Sequence, residues 1–315
     1  MKTVFLYAGQ GSQKAGMGKD LYEAFPAYRE VIDSLNLSFD VKEMMHEGEL
    51  TTLSRTKYTQ PCMAAFAAGV TKVLKDEGML PDGACGLSLG EYGALHVADI
   101  FDADTYVKIT EFRGAQMEQA AKGKQCSMSA VLGMESDLIE EVCAQCEEKG
   151  FVKLVNLNCP GQYVICGDEV AVAAAEELLK QQGAKRCIRL NVGGPFHTKY
   201  MKEAGMALRS FLEDIPFGEP KLKVALNATG DFYQHGENLK ELLEIQIQSS
   251  VHFESQIRKF LELGADTFVE IGPGNALSGF VKKTAKAMDK KVAVYTIDTA
   301  KDLENLIAKK EELFS

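Results

Sequence analysis

GACGLSLGEYGAL, residues 83–95, sets a short apolar strand against a helix with only Gly86-Leu87-Ser88-Leu89-Gly90 between them. Those five residues fit GxSxG. A chain that turns from strand into helix so sharply leaves no room for side chains beside the serine, which is why glycines flank it. Such a bend holds the Ser88 hydroxyl out at the strand's C-terminal end, near a helix N-terminus whose N–H groups can stabilise an oxyanion. A five-residue match also arises by chance, so an incidental turn is the competing reading. The strand–turn–helix context favours a nucleophile.

Working outward, strands alternate with helices on both sides of this bend. TVFLYA (3–8) predicts a first strand, GQGSQKAGMGKD (9–20) a Gly-rich loop, and Leu21, Phe25, Tyr28 and Ile32 one amphipathic helix. Thr59 to Glu77 and Asp102 to Lys122 predict two more helices. The order implies an α/β fold with a parallel sheet under helical cover. Between residues 125 and 190 the rhythm changes. Strand 127–133, helix 136–149, strand 152–157, a turn at Asn158-Cys159-Pro160-Gly161, strand 162–166, helix 169–182 and strand 185–190 give β-α-β-β-α-β, a ferredoxin-like order. This segment closes on itself and predicts a small subdomain, 125–190, inserted into a larger domain made of 1–124 and 191–315. Beyond it come the loop NVGGPFHT (191–198), a helix 199–212, a strand 222–226, helices 237–248 and 252–263, a strand 267–271 ending in GPGN, a strand 292–297 and a charged C-terminal helix.

Composition narrows the function classes. The 315 residues are 46% hydrophobic and 25% charged, ordinary for a globular protein. A net charge of −10 argues against a general nucleic-acid binder. The longest apolar run, Met63 to Val70, is far too short to span a bilayer. The N-terminus runs directly into Gly and Gln without a small-residue cleavage pattern, so it reads as a strand. The eight cysteines are scattered, as suits reduced thiols in a cytoplasmic protein. Cys143 and Cys146 form CxxC on a helix-like stretch with no second ligand pair, which favours core packing over metal or redox chemistry. GQGSQ after the first strand lacks the third glycine of a dinucleotide loop.

A nucleophilic serine needs a base, and the chain offers five histidines. His46 and His235 lie in polar, surface-like stretches. His96 sits two turns along the elbow helix, where a core or surface role is the commoner one, and His252 opens a helix. His197 follows Gly-Gly-Pro in a loop after a strand, where side chains of an α/β sheet converge, and is the best-placed base.

Seven ordered elements then make the likeness specific. GLSLGEYGAL resembles the GHSLGEYAAL element of malonyl-CoA:acyl carrier protein transacylases. YAGQGSQKAGMG resembles that family's FPGQGSQ–GMG opening, YTQP its TQP, RGAQM its RGxxMQ, NCPGQYVICG its NxPGQxVIxG, GGPFHT its PFHS loop and EIGPGNAL its EVGPGxxL. The likeness covers almost the whole chain, including the inserted ferredoxin-like segment.

Carried over residue by residue, the resemblance implies that Ser88 is acylated and that His197 is its general acid/base, in a dyad with no carboxylate. The backbone carbonyl of Gln246 would steer the imidazole. The N–H groups of Gln10 and Leu89 would form the oxyanion hole. Arg113 lies on a helix (KITEFRGAQMEQ) where the bland reading is a solvated charge; the resemblance makes it a bidentate partner for the malonyl carboxylate. Phe196 resembles the residue of malonyl users, and Gln60 and Asn158 match pocket positions. No metal or bound cofactor is implied, malonyl-CoA is the substrate, and acyl carrier protein is the partner. That partner is acidic, so docking calls for a local basic patch: Lys282, Lys283 and Lys286, or Lys199 and Lys202. The sequence departs from the family at Leu87 for His, Ala8 and Ser250 for Pro, and Phe253 for Trp; the lost prolines predict looser loops. A stand-alone polyketide acyltransferase, a GxSxG serine hydrolase and a non-catalytic docking scaffold remain as alternatives. Arg113 argues against a simple esterase, and the joint presence of Ser88, His197 and Arg113 against a scaffold.

Overall fold

The computed structural model describes residues 2–190 and 194–314. Among these residues nine strands form two sheets. In chain order they are β1 (Thr3–Tyr7), β2 (Gly83–Gly86), β3 (Cys126–Leu132), β4 (Val152–Cys159), β5 (Gln162–Asp168), β6 (Arg186–Arg189), β7 (Lys223–Val224), β8 (Thr267–Ile271) and β9 (Ala293–Ile297). The larger sheet runs β7-β2-β1-β8-β9, and every pairing in it is parallel. Its central strands β1, β2 and β8 are buried along their whole length, and TVFLY and TFVEI accordingly lack the apolar–polar alternation of a strand with one face in water. The smaller sheet is antiparallel, in the order β4-β5-β3-β6, and two helices, Ser136–Gln145 and Glu169–Gln181, complete its β-α-β-β-α-β sequence.

The helix Thr56–Asp76 carries the main core, burying Phe66, Val70 and Leu74, and accommodates Pro61 in its second turn. It packs against the helix Ala103–Ala121, which begins where the Asp102 side chain accepts the N–H of Thr105. The two helices meet closely at Gly114, where an added Cβ would lie 2.7 Å from the Thr56 carbonyl oxygen. Met128, Val164 and Cys166 of the small sheet join the same core as Phe66 and Leu89, so the two sheets enclose a cleft between them. Strand β4 is stitched to the chain after the helix Leu239–Gln248: Leu157 N–H donates to Val251 O, Val251 N–H to Val155 O, and Ser250 Oγ to Leu154 O at 2.8 Å.

Several local expectations are corrected. The single helix expected through Leu21, Phe25, Tyr28 and Ile32 is two, Lys19–Ala24 and Pro26–Ser34. Pro26 disfavours helical geometry at Phe25, which is extended (φ −116°, ψ 109°), and then starts the second helix at a position where its missing N–H does no harm. Helices Val41–His46 and Leu50–Leu53 carry too few turns to show a periodicity, and the sequence reading passed over them. The expected 136–149 and 199–212 helices each contain a 3-10 turn, Glu147–Lys149 and Lys199–Met201. Strand β7 is two residues long instead of five. At the two positions where the family has proline, Ala8 N–H donates to Ile271 O and Ser250 donates as above. Of the expected loop 191–198, Asn191, Val192 and Gly193 lie outside the described residues.

Candidate active site

The site lies beyond the C-terminal ends of the adjacent parallel strands β1 and β2, the usual position for ligands of an open α/β sheet. Strand β2 ends at Gly86 and the next helix, Gly90–Val97, starts four residues later. Ser88 takes the left-handed backbone that this bend demands (φ 55°). A Cβ on Gly86 would meet the Gly90 carbonyl carbon at 2.1 Å, and one on Gly90 would meet Tyr7 O at 1.9 Å. Both contacts are with backbone, which has no side-chain freedom to yield, so the glycines are sterically compulsory.

The structure brings Ser88, His197, Gln246 and Arg113 together. Ser88 Oγ is 2.7 Å from His197 Nε2, and His197 Nδ1 is 2.9 Å from the Gln246 carbonyl oxygen. A carbonyl can only accept, so Nδ1 carries the proton and Nε2 presents its lone pair to the Ser88 hydroxyl. Like Ser88, His197 has a left-handed backbone (φ 60°). It is also buried, and burial together with the nearby Arg113 guanidinium pushes its imidazole down to about 4. It is therefore neutral at pH 7, the form that can take a proton.

Arg113 is not a solvated helix charge. It is fully buried. Nη1 donates to Gln60 Oε1 at 2.8 Å, and Nη2 to Gln246 Oε1 at 3.0 Å and Ser88 Oγ at 3.2 Å. Its Nε has no partner among the described residues, and the guanidinium stands 5.3 Å from the centroid of the Tyr92 ring. Its hydrogen-bond acceptors among those residues are all neutral, and none of their carboxylates forms an ion pair with it. The nearest acid on the elbow helix, Glu91, is itself pushed up to about 8 by burial.

The remaining expected residues distribute around this centre. Gln10 follows β1 and Leu89 follows the nucleophile; neither backbone N–H is donated to an acceptor among the described residues. Phe196, Gln60, Gln10 and Asn158 line the cleft with Ser88 and His197, and the buried Asn158 Oδ1 has no partner. Leu87 also faces the cleft and packs against the core on the other side of the sheet. Of the other histidines, His96 is buried with Nδ1 on Phe101 O, His46 is half-buried, His235 is exposed, and His252 caps the helix Phe253–Glu262. Cys143 and Cys146 are buried in the small sheet's core. Among the described residues no group of three or more His, Cys, Asp or Glu is placed to hold a metal ion. No described helix is long and apolar enough to cross a membrane.

Sequence reasoning missed Asn227. It is fully buried, its Oδ1 accepts the Ser88 N–H at 2.7 Å, and its Nδ2 donates to Gly86 O at 2.7 Å. Its segment, LNATGD, looks like an ordinary turn, and nothing local in it signals a contact across 139 residues.

Comparison with known proteins identifies the family. The acyl transferase domain family model matches residues 4–313. The malonyl CoA-acyl carrier protein transacylase of Bacillus subtilis (strain 168) is 38% identical over 301 residues, 95% of each chain. The crystal structure of malonyl CoA-acyl carrier protein transacylase from Clostridium perfringens superposes with a TM-score of 0.93 at 36% identity, covering 99% of this chain and 98% of that one. A malonyl-transacylase in complex with its type II polyketide-synthase acyl-carrier protein gives 0.92 at 30% identity, covering 98% and 100%. With a family model and relatives of this identity matching nearly end to end, this chain belongs to the malonyl CoA-acyl carrier protein transacylases of the acyl transferase family.

Proposed function

We propose that the chain transfers a malonyl group from malonyl-CoA to the phosphopantetheine thiol of acyl carrier protein, in fatty-acid synthesis, through a malonyl ester on Ser88. His197 Nε2 takes the Ser88 proton as Oγ attacks the thioester carbon. The C–S bond breaks as the tetrahedral intermediate collapses, and the protonated imidazole returns its proton to the departing CoA thiolate. The second half-reaction runs the same steps backwards with the carrier thiol as nucleophile. Gln246 O holds the imidazole tautomer in the place a carboxylate fills in a triad. A neutral acceptor stabilises imidazolium less than a carboxylate would, and the Arg113 donor on Ser88 Oγ offsets this by stabilising alkoxide character. The unpaired N–H groups of Gln10 and Leu89 serve as oxyanion donors. The observation that carries this reading is the shared contact of Ser88 Oγ with His197 Nε2 and with a buried guanidinium whose hydrogen-bond acceptors among the described residues are all neutral.

Residues 125–190 act as an inserted subdomain and 1–124 with 191–315 as one large domain; β3 to β6 pair with one another as strands, and β4 reaches outside the set by a single bridge, Asn156 to Val251. For the carrier protein, Lys282, Lys283 and Lys286 are exposed on one helix, with Lys283 Nζ on Gln162 Oε1 at 2.8 Å. Lys199 and Lys202 are exposed beside the His197 loop. Intact mass spectrometry after incubation with malonyl-CoA tests the reading: the wild type gains a malonyl mass and Ser88→Ala does not. Undiminished labelling of Ser88→Ala removes the nucleophile assignment.

A further inference from the structure

The reaction geometry depends on two things the dyad does not itself fix: the direction of the elbow's backbone and the placement of Gln246. Ser88 sits in a left-handed conformation with its N–H turned inward, and Gln246 both orients His197 and contacts Arg113. One buried side chain joins the two. Asn227 Oδ1 accepts the Ser88 N–H at 2.7 Å and also the Gln246 Nε2–H at 3.3 Å, while its Nδ2 donates to Gly86 O at 2.7 Å. Gln246 Nε2 closes the loop by donating to the Ser88 carbonyl oxygen at 2.7 Å. Asn227 is in turn fixed through its backbone: its N–H donates to Glu91 Oε2, and its carbonyl accepts the His252 N–H at 2.9 Å. Both ends of the carboxamide are therefore used, and the carboxamide is anchored from both flanks.

We propose that Asn227 is a positioning residue for acyl transfer, clamping the nucleophile's backbone and the Gln246 side chain in one register so that Ser88 Oγ meets both His197 and Arg113. The clamp also settles which N–H groups face the oxyanion. With the Ser88 N–H taken by Asn227, Leu89 and Gln10 are left free to donate. A hydroxyl, a methyl or a longer amide cannot reproduce the paired acceptor and donor that span Ser88 N and Gly86 O. Asparagine meets this requirement without placing a charge beside Arg113.

The inference rests on Ser88 being the acylated residue, and the test separates the two. Single-turnover formation of malonyl-enzyme from malonyl-CoA is followed by rapid quench and intact mass for the wild type, Ser88→Ala, Asn227→Ala and Asn227→Asp, with circular-dichroism melts giving each folded fraction. Asn227→Asp keeps the shape and the acceptor and loses the amide donor. Both Asn227 variants are expected to acylate about 10- to 100-fold more slowly per folded molecule, the effect of misplacing reacting atoms by a fraction of an ångström to an ångström, with KM for malonyl-CoA changed less than about threefold. Wild-type acylation rates, a KM change as large as the rate change, or a loss that merely follows the unfolded fraction would each overturn the proposal. If Ser88→Ala still accumulates the malonyl mass, the nucleophile assignment itself falls. If Ser88→Ala is inert while folded Asn227 variants react normally, only the clamp falls.

Discussion

Arg113→Ala is expected to convert a malonyl-selective acyltransferase into one that barely separates malonyl from acetyl. In the structure the guanidinium begins 3.2 Å from Ser88 Oγ, the atom that receives the acyl group. A carboxylate two carbons beyond the ester carbonyl can fold back onto it. A charge-assisted hydrogen bond contributes about 1.5–3 kcal/mol, so a bidentate pair is worth about 3–6 kcal/mol. At about 1.4 kcal/mol per decade that is a selectivity of about 100- to 10,000-fold over an acyl group that leaves the charge unanswered. The assay is competition: one enzyme sample, equimolar malonyl-CoA and acetyl-CoA, and the ratio of the two acyl-enzyme masses at early times. Because both products form on the same molecules, the ratio is indifferent to how much of the variant is folded. A ratio within about threefold of the wild type would refute the argument that this charge selects the acyl group.

Two further outcomes follow from the same geometry. His197 is held down to about 4, and a base is lost only when it protonates, so kcat/KM for malonyl-CoA should stay level as pH falls from 8 to 5 and drop through about pH 4; a pH-rate profile with its acid limb near 6.5 would show a solvated imidazole instead. Gly90→Ala would push a methyl to within 1.9 Å of Tyr7 O, forcing the elbow off β1, and should cost about 3 kcal/mol or more and lower the thermal midpoint by several degrees with activity lost; an unchanged melt would contradict the packing described at the bend.

The elbow was legible because its requirement is local. Gly86 and Gly90 are demanded by backbone atoms within a few residues or on the neighbouring strand, and the strand and helix on either side announce themselves by pattern. The β-α-β-β-α-β segment was legible for a similar reason, since each strand is ended by a turn or helix signal of its own. Arg113 shows where such reading stops. Its helix buries Tyr106, Ile109 and Met117 but leaves Glu111 and Glu118 partly exposed, and nothing in KITEFRGAQMEQ says that the arginine faces inward. Burial there depends on Gly114 letting the helix Thr56–Asp76 approach, and on Gln60 and Gln246 arriving from 53 residues before and 133 after. Only likeness to a family suggested a role for it. Asn227 had neither a local signal nor a place among the resembling elements. Its hydrogen bonds join Gly86, Ser88, Glu91 and Gln246, four positions no periodicity connects.

The buried guanidinium ties substrate choice to base strength. A charge removed from water without an ionised partner is expensive, and this chain tolerates one by surrounding it with two glutamine amides, a serine hydroxyl and an aromatic face. The same charge lowers the basicity of His197. That keeps the imidazole unprotonated and able to receive the Ser88 proton, while direct donation to Oγ favours the alkoxide. On the proposed reading, a malonyl carboxylate against Arg113 would offset the smaller of the two causes that depress His197, burial being the larger. His197 would then gain basicity at the stage where a carrier thiol must be deprotonated. On the same reading an acetyl ester would provide no such offset, and acyl groups lacking a carboxylate would be handicapped in deacylation as well as in loading. In the proposed reaction Arg113 would thus bear on the acyl group in loading and in deacylation alike.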